Sequence, residues 1–521
     1  MHRCLQFPEI LGLIFENLTS NRRESERDVG QRSILAVLTT CRAFSIPAMV
    51  LLWRDLETLA PLILTMPGDL VEVSKHRSGW PKITFCRDVV PADWERFDIY
   101  APFVITLGYD NKRMRFNFKK SPDIDNSVYK ELQKRQQNLL PSLYAIGYNQ
   151  ITPIIHAPKV LSPVRRVDLN PGIMSGSHLH SLLAGIPKLA PSLKSLSLNF
   201  GIIPSARVLQ SLLENTDLEE FNLYDSLSDE EFNLLARMPH LRKIDITKDI
   251  SDLARLLSAS PIADYQLTDA CIRTNDTSPS KLPQVIAALR PSRLKNLRIS
   301  PGSFPENVYG NEQALRDLIF SIAEHCSPDI FSSIRLETAG MYYQRPSGTL
   351  NYRSLRPLFE FTKLRKVDLS SHTFNLNDAE VKELAMSWPL LEELRAYVLI
   401  EPPSALSRTT LRSLLWFAVY CKNLNHLSFN FNDPDGEFSE EELTMASNSP
   451  LAELEVGTST ISEPEKVADF FCIVFPNLSY ISWGSPYSDY EYVDMAQTKS
   501  WTIVQDGIDR LRSETTKVGN R

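Results

Sequence analysis

The chain has 521 residues, 43% of them hydrophobic, so it is long enough for several domains or a repeat array and can bury a large core. Its 56 basic and 63 acidic residues give a net charge of −7, which provides no overall attraction to nucleic acid or to an anionic membrane surface. Seven cysteines without any Cys-x-x-Cys pair argue against a disulfide framework or a zinc ribbon and favour a reducing compartment.

The start of the chain contains no pattern typical of a signal peptide. Pro8, Glu9 and Glu16 interrupt its apolar run, and no small-residue cleavage site follows. No apolar run elsewhere is long enough to cross a bilayer. We therefore expect the protein in the cytoplasm, in the nucleus or in both.

Three short helices are predicted near the start of the chain. Pro8 is predicted to open the first, in which apolar residues recur at helical spacing up to Leu18. A polar loop is predicted for residues 19–32, after which Ser33 is predicted to cap a second helix and Pro47 to open a third. Three such helices form only a marginal core by themselves, so we expect their apolar faces to need another surface.

The predicted helices contain the motifs PEIL from Pro8, IF from Ile14, CR from Cys41 and LWR from Leu52. In these residues the segment resembles the F-box family, and fungal members in particular. In that family the helices bind the Skp linker subunit of a cullin-RING ubiquitin ligase, and a following repeat domain holds the substrate. The resemblance thus implies a Skp-family subunit, and through it a cullin, as partners. It implies the following Skp-binding residues: Leu5, Phe7, Pro8, Ile10, Leu11, Ile14, Phe15, Leu18, Leu35, Leu38, Leu52 and Trp53.

A basic segment follows, in which NKRMRFNFKK begins at Asn111 and interleaves five basic residues with two phenylalanines. Such a composition can bind phosphates and stack on bases, so nucleic-acid binding through residues 112–120 is a weaker alternative function. A solvated loop or hairpin is the simpler interpretation, and Asp123 and Asp125 reduce the local positive potential.

From residue 104 onward, a phrase with apolar first, fourth and sixth positions recurs fourteen times, at a mean spacing of about 29 residues. The copies begin at Val104, Leu143, Val164, Leu193, Leu218, Leu241, Ile262, Leu294, Phe331, Leu364, Leu391, Leu424, Leu451 and Leu478. Because strand side chains alternate between faces, the fourth and sixth positions share one face, and each phrase is predicted to be a strand.

Helices are predicted between the phrases. Four of them begin with a capping residue followed three positions later by a glutamate, at Ser228, Asn377, Ser439 and Ser462. One strand-helix unit cannot bury its apolar face alone, whereas a stack of units buries a continuous core beneath a parallel sheet.

The phrase resembles the L-x-x-L-x-L signature of leucine-rich repeats over residues 104–484. The resemblance implies an α/β fold class: a leucine-rich-repeat solenoid, with a curved parallel sheet inside and helices outside, preceded by a small three-helix F-box module. A helical solenoid of the HEAT type is the alternative, which short strand-like segments such as VDL and IDI disfavour. The predicted division is 1–58 for the F-box-like module, 59–100 for a connecting segment with the first capping elements, 101–490 for the solenoid and 491–521 for a C-terminal helical cap and tail.

The same register predicts which side chains line the concave sheet face, namely those at the third, fifth and seventh positions of each phrase. Nearly all of them are polar and both charge signs occur, which suits binding of another macromolecule through hydrogen bonds. For any single residue, a solvated sheet position is the simpler interpretation, because few residues of an interface carry most of its energy. The candidate substrate-binding residues are Arg166, Asp168, Glu220, Tyr224, Lys243, Asp245, Arg298, Lys366, Asp368, Arg395, Tyr397 and His426.

No motif for phosphate binding, zinc proteolysis or serine hydrolysis occurs, so we expect no catalytic residue, no cofactor and no metal site. His178 and His180 form an H-x-H pair without a third ligand at metal-binding spacing.

The two resemblances together imply a non-catalytic substrate-recognition adaptor of a Skp-cullin-F-box ubiquitin ligase, acting in ubiquitin-dependent protein degradation on an unknown protein target. The alternative is a leucine-rich-repeat scaffold in which residues 1–55 only cap the solenoid, since the end of a repeat stack needs a cover.

Overall fold

The computed structural model describes residues 7–20, 27–75, 81–108, 122–135, 137–147, 163–169, 183–186, 190–198, 205–259, 267–274, 281–289, 293–301, 312–336, 349–369, 373–396, 408–432, 438–457, 459–483 and 495–519. The chain divides into two compact units, Met1–His240 and Leu241–Arg521.

The first unit combines short helices with two sheets. Its described helices are α1 (Pro8–Ser20), α2 (Arg27–Leu38), α3 (Arg42–Trp53), α4 (Ala60–Ile63), α5 (Glu95–Tyr100), α6 (Asn126–Lys134), α7 (Ala206–Asn215) and α8 (Asp229–Leu235), with 3-10 helices at Pro91–Trp94 and Ala101–Phe103. Its described strands are β1 (Asp55–Leu56), β2 (Val71–Lys75), β3 (Pro81–Phe85), β4 (Thr106–Leu107), β5 (Asp123–Ile124), β6 (Ala145–Ile146), β7 (Arg166–Leu169), β8 (Ser195–Leu198) and β9 (Glu220–Ser226). The main sheet follows the order β1-β4-β6-β7-β8-β9, and a small sheet follows β2-β3-β5.

The second unit repeats a strand-helix alternation. Its described helices are α9 (Ile250–Ala259), α10 (Leu282–Leu289), α11 (Glu312–His325), α12 (Tyr352–Leu355), α13 (Asp378–Ser387), α14 (Leu411–Tyr420), α15 (Glu440–Ala446), α16 (Pro464–Val474) and α17 (Met495–Gly519), with a 3-10 helix at Arg356–Glu360. Its described strands are β10 (Lys243–Thr247), β11 (Asp269–Thr274), β12 (Asn296–Pro301), β13 (Ser333–Leu336), β14 (Thr349–Asn351), β15 (Lys366–Asp368), β16 (Thr373–Asn375), β17 (Glu393–Ala396), β18 (His426–Phe429), β19 (Glu453–Gly457) and β20 (Tyr480–Trp483). The main sheet follows β10-β11-β12-β13-β15-β17-β18-β19-β20, and β14 pairs with β16.

The predicted fold class, an α/β leucine-rich-repeat solenoid, is confirmed. Neighbouring strands of each main sheet pair in parallel and in register, as Val167 does with Leu196 and Val367 with Leu394. Most of the described fourth and sixth positions of the phrase are buried, for example Leu394 and Ala396 in β17, which are 1% and 2% exposed, whereas Ile244 and Trp483 are only partly buried. Apolar spacing at period two therefore set the register, because a shift by one residue would turn these side chains to solvent.

The repeat assigned to Ile262 was wrong. The strand of that repeat is β11, and its first, fourth and sixth positions are Leu267, Ala270 and Ile272, all of them buried. Ala270 is a small fourth-position residue, so the apolar signal of this copy is weaker than that of its neighbours. Ile262 itself lies outside the described residues.

Two elements between the predicted helices and repeats were missed. Strand β1 begins two residues after α3 ends and pairs in parallel with β4, Leu56 opposite Leu107. Within the segment 59–100, β2 and β3 pair antiparallel and form a sheet with β5. Two-residue strands such as β1 carry no periodicity that a sequence pattern can detect.

The predicted helix boundaries near the start were partly wrong. Helix α1 begins at Pro8 as predicted, but α2 begins at Arg27, which shortens the predicted loop and places Ser33 inside the helix. Helix α3 begins at Arg42, so Pro47 lies in its interior. Because the helix starts earlier, the Phe44 ring packs against Phe15, with ring centroids 5.7 Å apart. This packing favours the extra helical turn, although Pro47 has no backbone N–H to donate within the helix.

Three of the four predicted capping boxes are confirmed, those of Ser228, Asn377 and Ser439. In the first, Ser228 Oγ accepts from the backbone N–H of Glu231 at 3.3 Å, and Glu231 Oε2 accepts from the backbone N–H of Ser228 at 2.8 Å. The assignment at Ser462 was wrong, because α16 begins at Pro464 with Glu463 at its N-cap. Proline suits that first helical position, where no backbone donor is needed.

Candidate functional site

Helices α1, α2 and α3 form a compact group, here called the amino-terminal helical cluster. Its buried centre contains Leu11 and Phe15 of α1, which are 1% and 3% exposed. The other buried members are Ile34, Ala48, Leu51 and Leu52, and Val37, Leu38, Phe44 and Trp53 pack against them. The three helices thus cover part of one another's apolar surface.

Helix α1 has more apolar surface than the cluster covers. Leu13, Ile10 and Ile14 are 62%, 37% and 40% exposed, and they lie beside the buried positions Leu11 and Phe15. At 3.6 residues per turn these five side chains cover roughly 200° of the helix circumference. The buried part of this apolar arc faces α2 and α3, and the remainder is exposed.

Further exposed apolar side chains lie nearby in the sequence. Phe7 is 55% exposed just before α1, Leu35 is 47% exposed on α2 and Ile46 is 58% exposed on α3. Isolated exposed apolar residues are normal, but several on one small module are typical of an interaction surface.

The structure separates the predicted Skp-binding residues into two groups. Phe7, Pro8, Ile10, Ile14 and Leu35 are exposed, and Leu38 and Trp53 are partly buried. Correcting the expectation that all of them face a partner, the structure buries Leu11, Phe15 and Leu52 inside the cluster, because they supply the mutual packing of the three helices. Leu5 and the side chain of Leu18 lie outside the described part of the chain.

The cluster is joined tightly to the first strands of the sheet. Trp53 stacks on Tyr100 with ring centroids 4.5 Å apart. The backbone carbonyl of Arg54 accepts hydrogen bonds from the N–H groups of Ile105 and Thr106, at 2.8 and 2.9 Å. Helix α3 therefore leads directly into the sheet.

The side chains at the third, fifth and seventh positions of the phrases form the second surface, here called the polar sheet face. In the first unit, Arg166 Nε donates to Asp168 Oδ2 at 3.1 Å, and Ser195 Oγ donates to Glu220 Oε2 at 3.2 Å. The predicted residues of this unit, which include Tyr224, are all partly exposed. Their polar groups are thus reachable from solvent while held by neighbours.

In the second unit, parallel register places the fifth positions in one row across the sheet. In order, this row is Asp245, Cys271, Arg298, Arg335, Asp368, Arg395, Ser428, Glu455 and Ser482. Ion pairs connect neighbouring strands: Arg273 binds Asp245, and Arg335 Nε lies 2.7 Å from Asp368 Oδ2. Within β17, Arg395 Nε lies 2.8 Å from Glu393 Oε1.

Exposure differs among the predicted residues of this unit. Lys243, Arg298 and Lys366 are exposed, and Asp245 and Arg395 are partly buried. Correcting the expectation that the whole set is accessible, Asp368 and His426 are only 7% and 9% exposed, because neighbouring side chains of the face cover them. Tyr397 lies outside the described residues.

Burial perturbs two neighbouring groups of the row. It raises the pKa of the Asp245 carboxyl, which the charge of Arg273 partly offsets. Burial also raises the pKa of the Cys271 thiol to about 12, and the negative charge of Asp245 adds to the shift. Cys271 therefore stays a thiol at neutral pH and is a poor nucleophile.

A hydrogen-bonded group that sequence spacing did not indicate lies at β18 and β19. His426 Nδ1 lies 3.0 Å from Glu453 Oε2, and its Nε2 lies 3.0 Å from Ser428 Oγ. Ser428 Oγ donates to Glu455 Oε2 at 2.7 Å. Strands β18 and β19 therefore share one hydrogen-bonded group, in which the hydroxyl hydrogen of Ser428 is directed to Glu455.

The order of serine, histidine and carboxylate in this group matches that of a hydrolase triad. The serine is fully buried, however, with an exposed fraction of 0%. A substrate carbonyl cannot approach Ser428 Oγ in this arrangement, so the group acts as a structural network.

Within the part of the chain that the structure describes, no group of three or more His, Cys, Asp or Glu side chains is placed to hold a metal ion, and no helix is long and apolar enough to cross a membrane. His178, His180 and the basic segment 112–120 lie outside the described residues.

No protein-family model and no curated protein sequence matches the chain. Among solved structures it is similar to a chain in the crystal structure of a Rad7 and Elc1 complex in yeast, with 15% identity, 66% of this chain and 75% of that chain covered, and a TM-score of 0.36. It is also similar to an internalin from Listeria monocytogenes, with 13% identity, 72% of this chain and 86% of that chain covered, and a TM-score of 0.31. Values this low carry no information on partners or substrates.

Proposed function

We propose that the chain is a non-catalytic adaptor of a Skp-cullin-F-box ubiquitin ligase, located in the cytoplasm or nucleus. The amino-terminal helical cluster, within the proposed module 1–58, binds a Skp-family subunit that connects it to a cullin. The polar sheet face, within the proposed repeat domain 101–490, binds the protein target.

The exposed part of the apolar arc of α1 is the observation that carries the proposal. Ile10, Leu13 and Ile14 expose apolar surface beside the buried centre of the amino-terminal helical cluster. Complete burial of such a side chain from full exposure is favourable by about 1.5–3 kcal/mol. Covering the fraction that is still exposed, 37% to 62% of each residue, would contribute a corresponding share of that free energy. An amphipathic helix that places its apolar face in a hydrophobic groove is a recurrent mode of protein recognition.

The polar sheet face supports the second half of the proposal through its chemistry. Its charged groups are fixed by neighbours, as Arg335 is by Asp368, so a target would meet preorganised donors and acceptors. Preorganisation lowers the entropy lost on binding.

A pull-down with a purified Skp-family subunit tests the docking surface. We expect Ile10→Asp with Ile14→Asp to abolish recovery, because two charges would enter an apolar interface. Met386→Asp with Met445→Asp is the matched control, since both methionines are 54% exposed on helices of the second unit. Equal recovery of the Ile10/Ile14 variant and the control, with unchanged circular dichroism, would overturn the proposal.

A second candidate function is that of a leucine-rich-repeat scaffold whose first helices only cap the repeats. The contacts of Trp53 with Tyr100 and of Arg54 with Ile105 and Thr106 favour such a cap. If so, removing residues 1–53 should lower the melting temperature of the remaining chain. The Ile10→Asp with Ile14→Asp variant should then recover the same binding partners as the wild type. Nucleic-acid binding through residues 112–120 remains a weaker prediction, testable by the salt dependence of binding to single-stranded RNA.

A further inference from the structure

Strand β2 forms an edge of the small sheet in the first unit. The sheet follows the order β2-β3-β5, so among the described strands β2 has a neighbour on one side only. It pairs antiparallel with β3 over the five residues Val71–Lys75, in one continuous register. An edge strand presents a row of backbone N–H and C=O groups with which a further strand can pair.

The hydrogen bonds between β2 and β3 indicate which backbone groups of β2 point outward. The N–H of Cys86 donates to the carbonyl of Leu70 at 2.9 Å, and the antiparallel register places these two residues opposite each other. Hydrogen-bonded and non-hydrogen-bonded pairs alternate along such a ladder. Glu72 and Ser74 therefore bond to β3, whereas the N–H and C=O of Val73 point away from it.

Two features of β3 agree with this orientation. Ile83 is opposite Val73, and its carbonyl accepts from the N–H of Asp125 at 3.0 Å, so it points away from β2. Pro81, which has no N–H, is opposite Lys75, at a position where no bond to β2 is needed. None of the described residues outside the strands bonds to the N–H or C=O of Val73.

The side chains of β2 are open to solvent. Glu72, Val73 and Ser74 are all exposed. Val73 is 49% exposed, although Ile83, which is opposite Val73 and shares its face of the sheet, is fully buried. The apolar layer on this face therefore continues to the edge without a cover. A strand added beside β2 would place a side chain against Val73 and extend the layer.

Glu72 lies on the other face of the small sheet and makes no ion pair with the described residues. Its Oε2 is 3.7 Å from Cys86 Sγ, and a thiol is only a weak donor. An added strand would place one residue directly opposite Glu72 on the same face. A lysine or arginine at that position would form a cross-strand ion pair, whereas a carboxylate would be repelled. The charge of Glu72 therefore favours a basic residue in the added strand.

We propose that β2 binds an extended segment of a partner protein as an additional antiparallel strand. The segment carries a lysine or arginine opposite Glu72 and apolar residues opposite Val71 and Val73. The residue opposite Val73 exchanges two backbone hydrogen bonds with it. In strand addition, main-chain bonds supply affinity and alternate side chains supply specificity. Because β2 belongs neither to the amino-terminal helical cluster nor to the polar sheet face, the inference goes beyond the proposed function.

Fluorescence anisotropy with the full chain tests the edge, using a fluorescein-labelled heptapeptide that has a central lysine between two valines and threonine elsewhere. We expect this peptide to bind, and one with a central glutamate to bind about tenfold more weakly or less. N-methylation of the first valine, which lies opposite Val73, should weaken binding about tenfold, because its N–H donates to β2. N-methylation of the central lysine is the matched control, since its N–H points away from β2.

Substitutions test the edge from the side of the protein. Val73→Pro removes the outward N–H without removing a bond between β2 and β3, and should lower affinity about tenfold or more. Val73→Thr is its matched control, because threonine keeps the N–H. Glu72→Lys should reverse the preference, so that the glutamate peptide binds more tightly than the lysine peptide. Circular dichroism and thermal melting check that each variant is folded.

Three results would overturn the proposal: equal binding of the parent and the valine-methylated peptide, equal affinity of Val73→Pro and Val73→Thr, or an unchanged lysine preference in Glu72→Lys. Analytical ultracentrifugation without peptide tests another occupant. A dimer that Val73→Pro dissociates would assign the edge to a second copy of the chain and contradict binding of a partner segment. A monomer that binds the lysine peptide, and loses it in Val73→Pro, would support the proposal.

Discussion

Arg54 Nη1 lies 2.6 Å from Glu16 Oε1, so an ion pair joins helix α1 to the residue between helix α3 and strand β1. The same guanidinium donates from Nε to Asp55 Oδ2 at 3.0 Å. Asp55 Oδ1 in turn accepts from Thr106 Oγ1 at 2.7 Å. One chain of polar contacts therefore runs from the amino-terminal helical cluster to strand β4.

The two carboxylates of this chain should differ in importance. Asp55 is 9% exposed, and its removal leaves polar partners unsatisfied, so Asp55→Ala should destabilise the region by about 1–3 kcal/mol. The side chain of Glu16 is 46% exposed, so Glu16→Ala should cost about 1 kcal/mol or less. Hydrogen exchange of the backbone amides of residues 103–108 measures the difference, and equal effects of the two substitutions would contradict it.

Truncation should lower stability far more at a buried position of α1 than at an exposed one. Leu11→Ala removes a side chain from the centre of the cluster and should lower stability by about 2–5 kcal/mol. Ile14→Ala, at an exposed position, should change stability by about 0.5 kcal/mol or less.

Thermal melting and the Skp pull-down together check this contrast. The Ile14→Ala protein should melt as the wild type does yet bind the Skp-family subunit more weakly. A large loss of stability on Ile14→Ala would show that this side chain belongs to the core of the chain.

The repeat register could be predicted from sequence because large apolar residues mark most of the core positions, as in Leu424, Leu427 and Phe429. The register of β11 could not be, since its fourth position is the small residue Ala270. Pro47 alone predicts a helix start at that residue, but packing between the helices favours a start at Arg42. Composition alone could not show which apolar residues of α1 meet α2 and α3.

The contacts of the polar sheet face also needed tertiary information. His426 and Glu453 are 27 residues apart in sequence and meet only because β18 and β19 pair in register. The sequence predicted that such side chains share one face of the sheet, because successive side chains of a strand alternate between its two faces. It could not predict that Asp368 and His426 would be covered by their neighbours.

The stability of helix α6 should depend on pH through Asp125. Its side chain caps the helix by accepting from the backbone N–H of Ser127 at 2.8 Å, and it also binds Lys82. Lys82, followed by Ser127, lowers the pKa of the Asp125 carboxyl below its ordinary range. The stabilisation is therefore present above the ordinary pKa of about 3.9 and is lost as pH falls through the lower folded-state value.

Melting curves of the wild type and Asp125→Ala test this dependence. The variant should be less stable by about 1 kcal/mol near neutral pH, and the difference should shrink as the solution becomes more acidic than about pH 4. Asp123→Ala, an exposed neighbour in β5, serves as the control. A constant difference between wild type and Asp125→Ala at all pH values would contradict the role of the charge.

The network around Ser428 should be structural. We expect an alkyl fluorophosphonate, which labels activated serines, to leave Ser428 unmodified, because the side chain is fully buried. Ser428→Ala should destabilise the second unit by about 1–3 kcal/mol, since His426 and Glu455 each lose a partner. Mass spectrometry after treatment with the reagent checks the first expectation, and covalent labelling at Ser428 would argue for catalysis.

Only Arg54 separates the end of α3 from the start of β1. A single residue held by its side chain and its backbone carbonyl provides no room for a hinge. A displacement or rotation of α3 should therefore move strand β1 with it, because no flexible linker lies between them. Inserting a short glycine-serine segment after Arg54 would uncouple α3 from β1. Such a variant would show whether the proposed adaptor function requires a rigid connection between the amino-terminal helical cluster and the sheet.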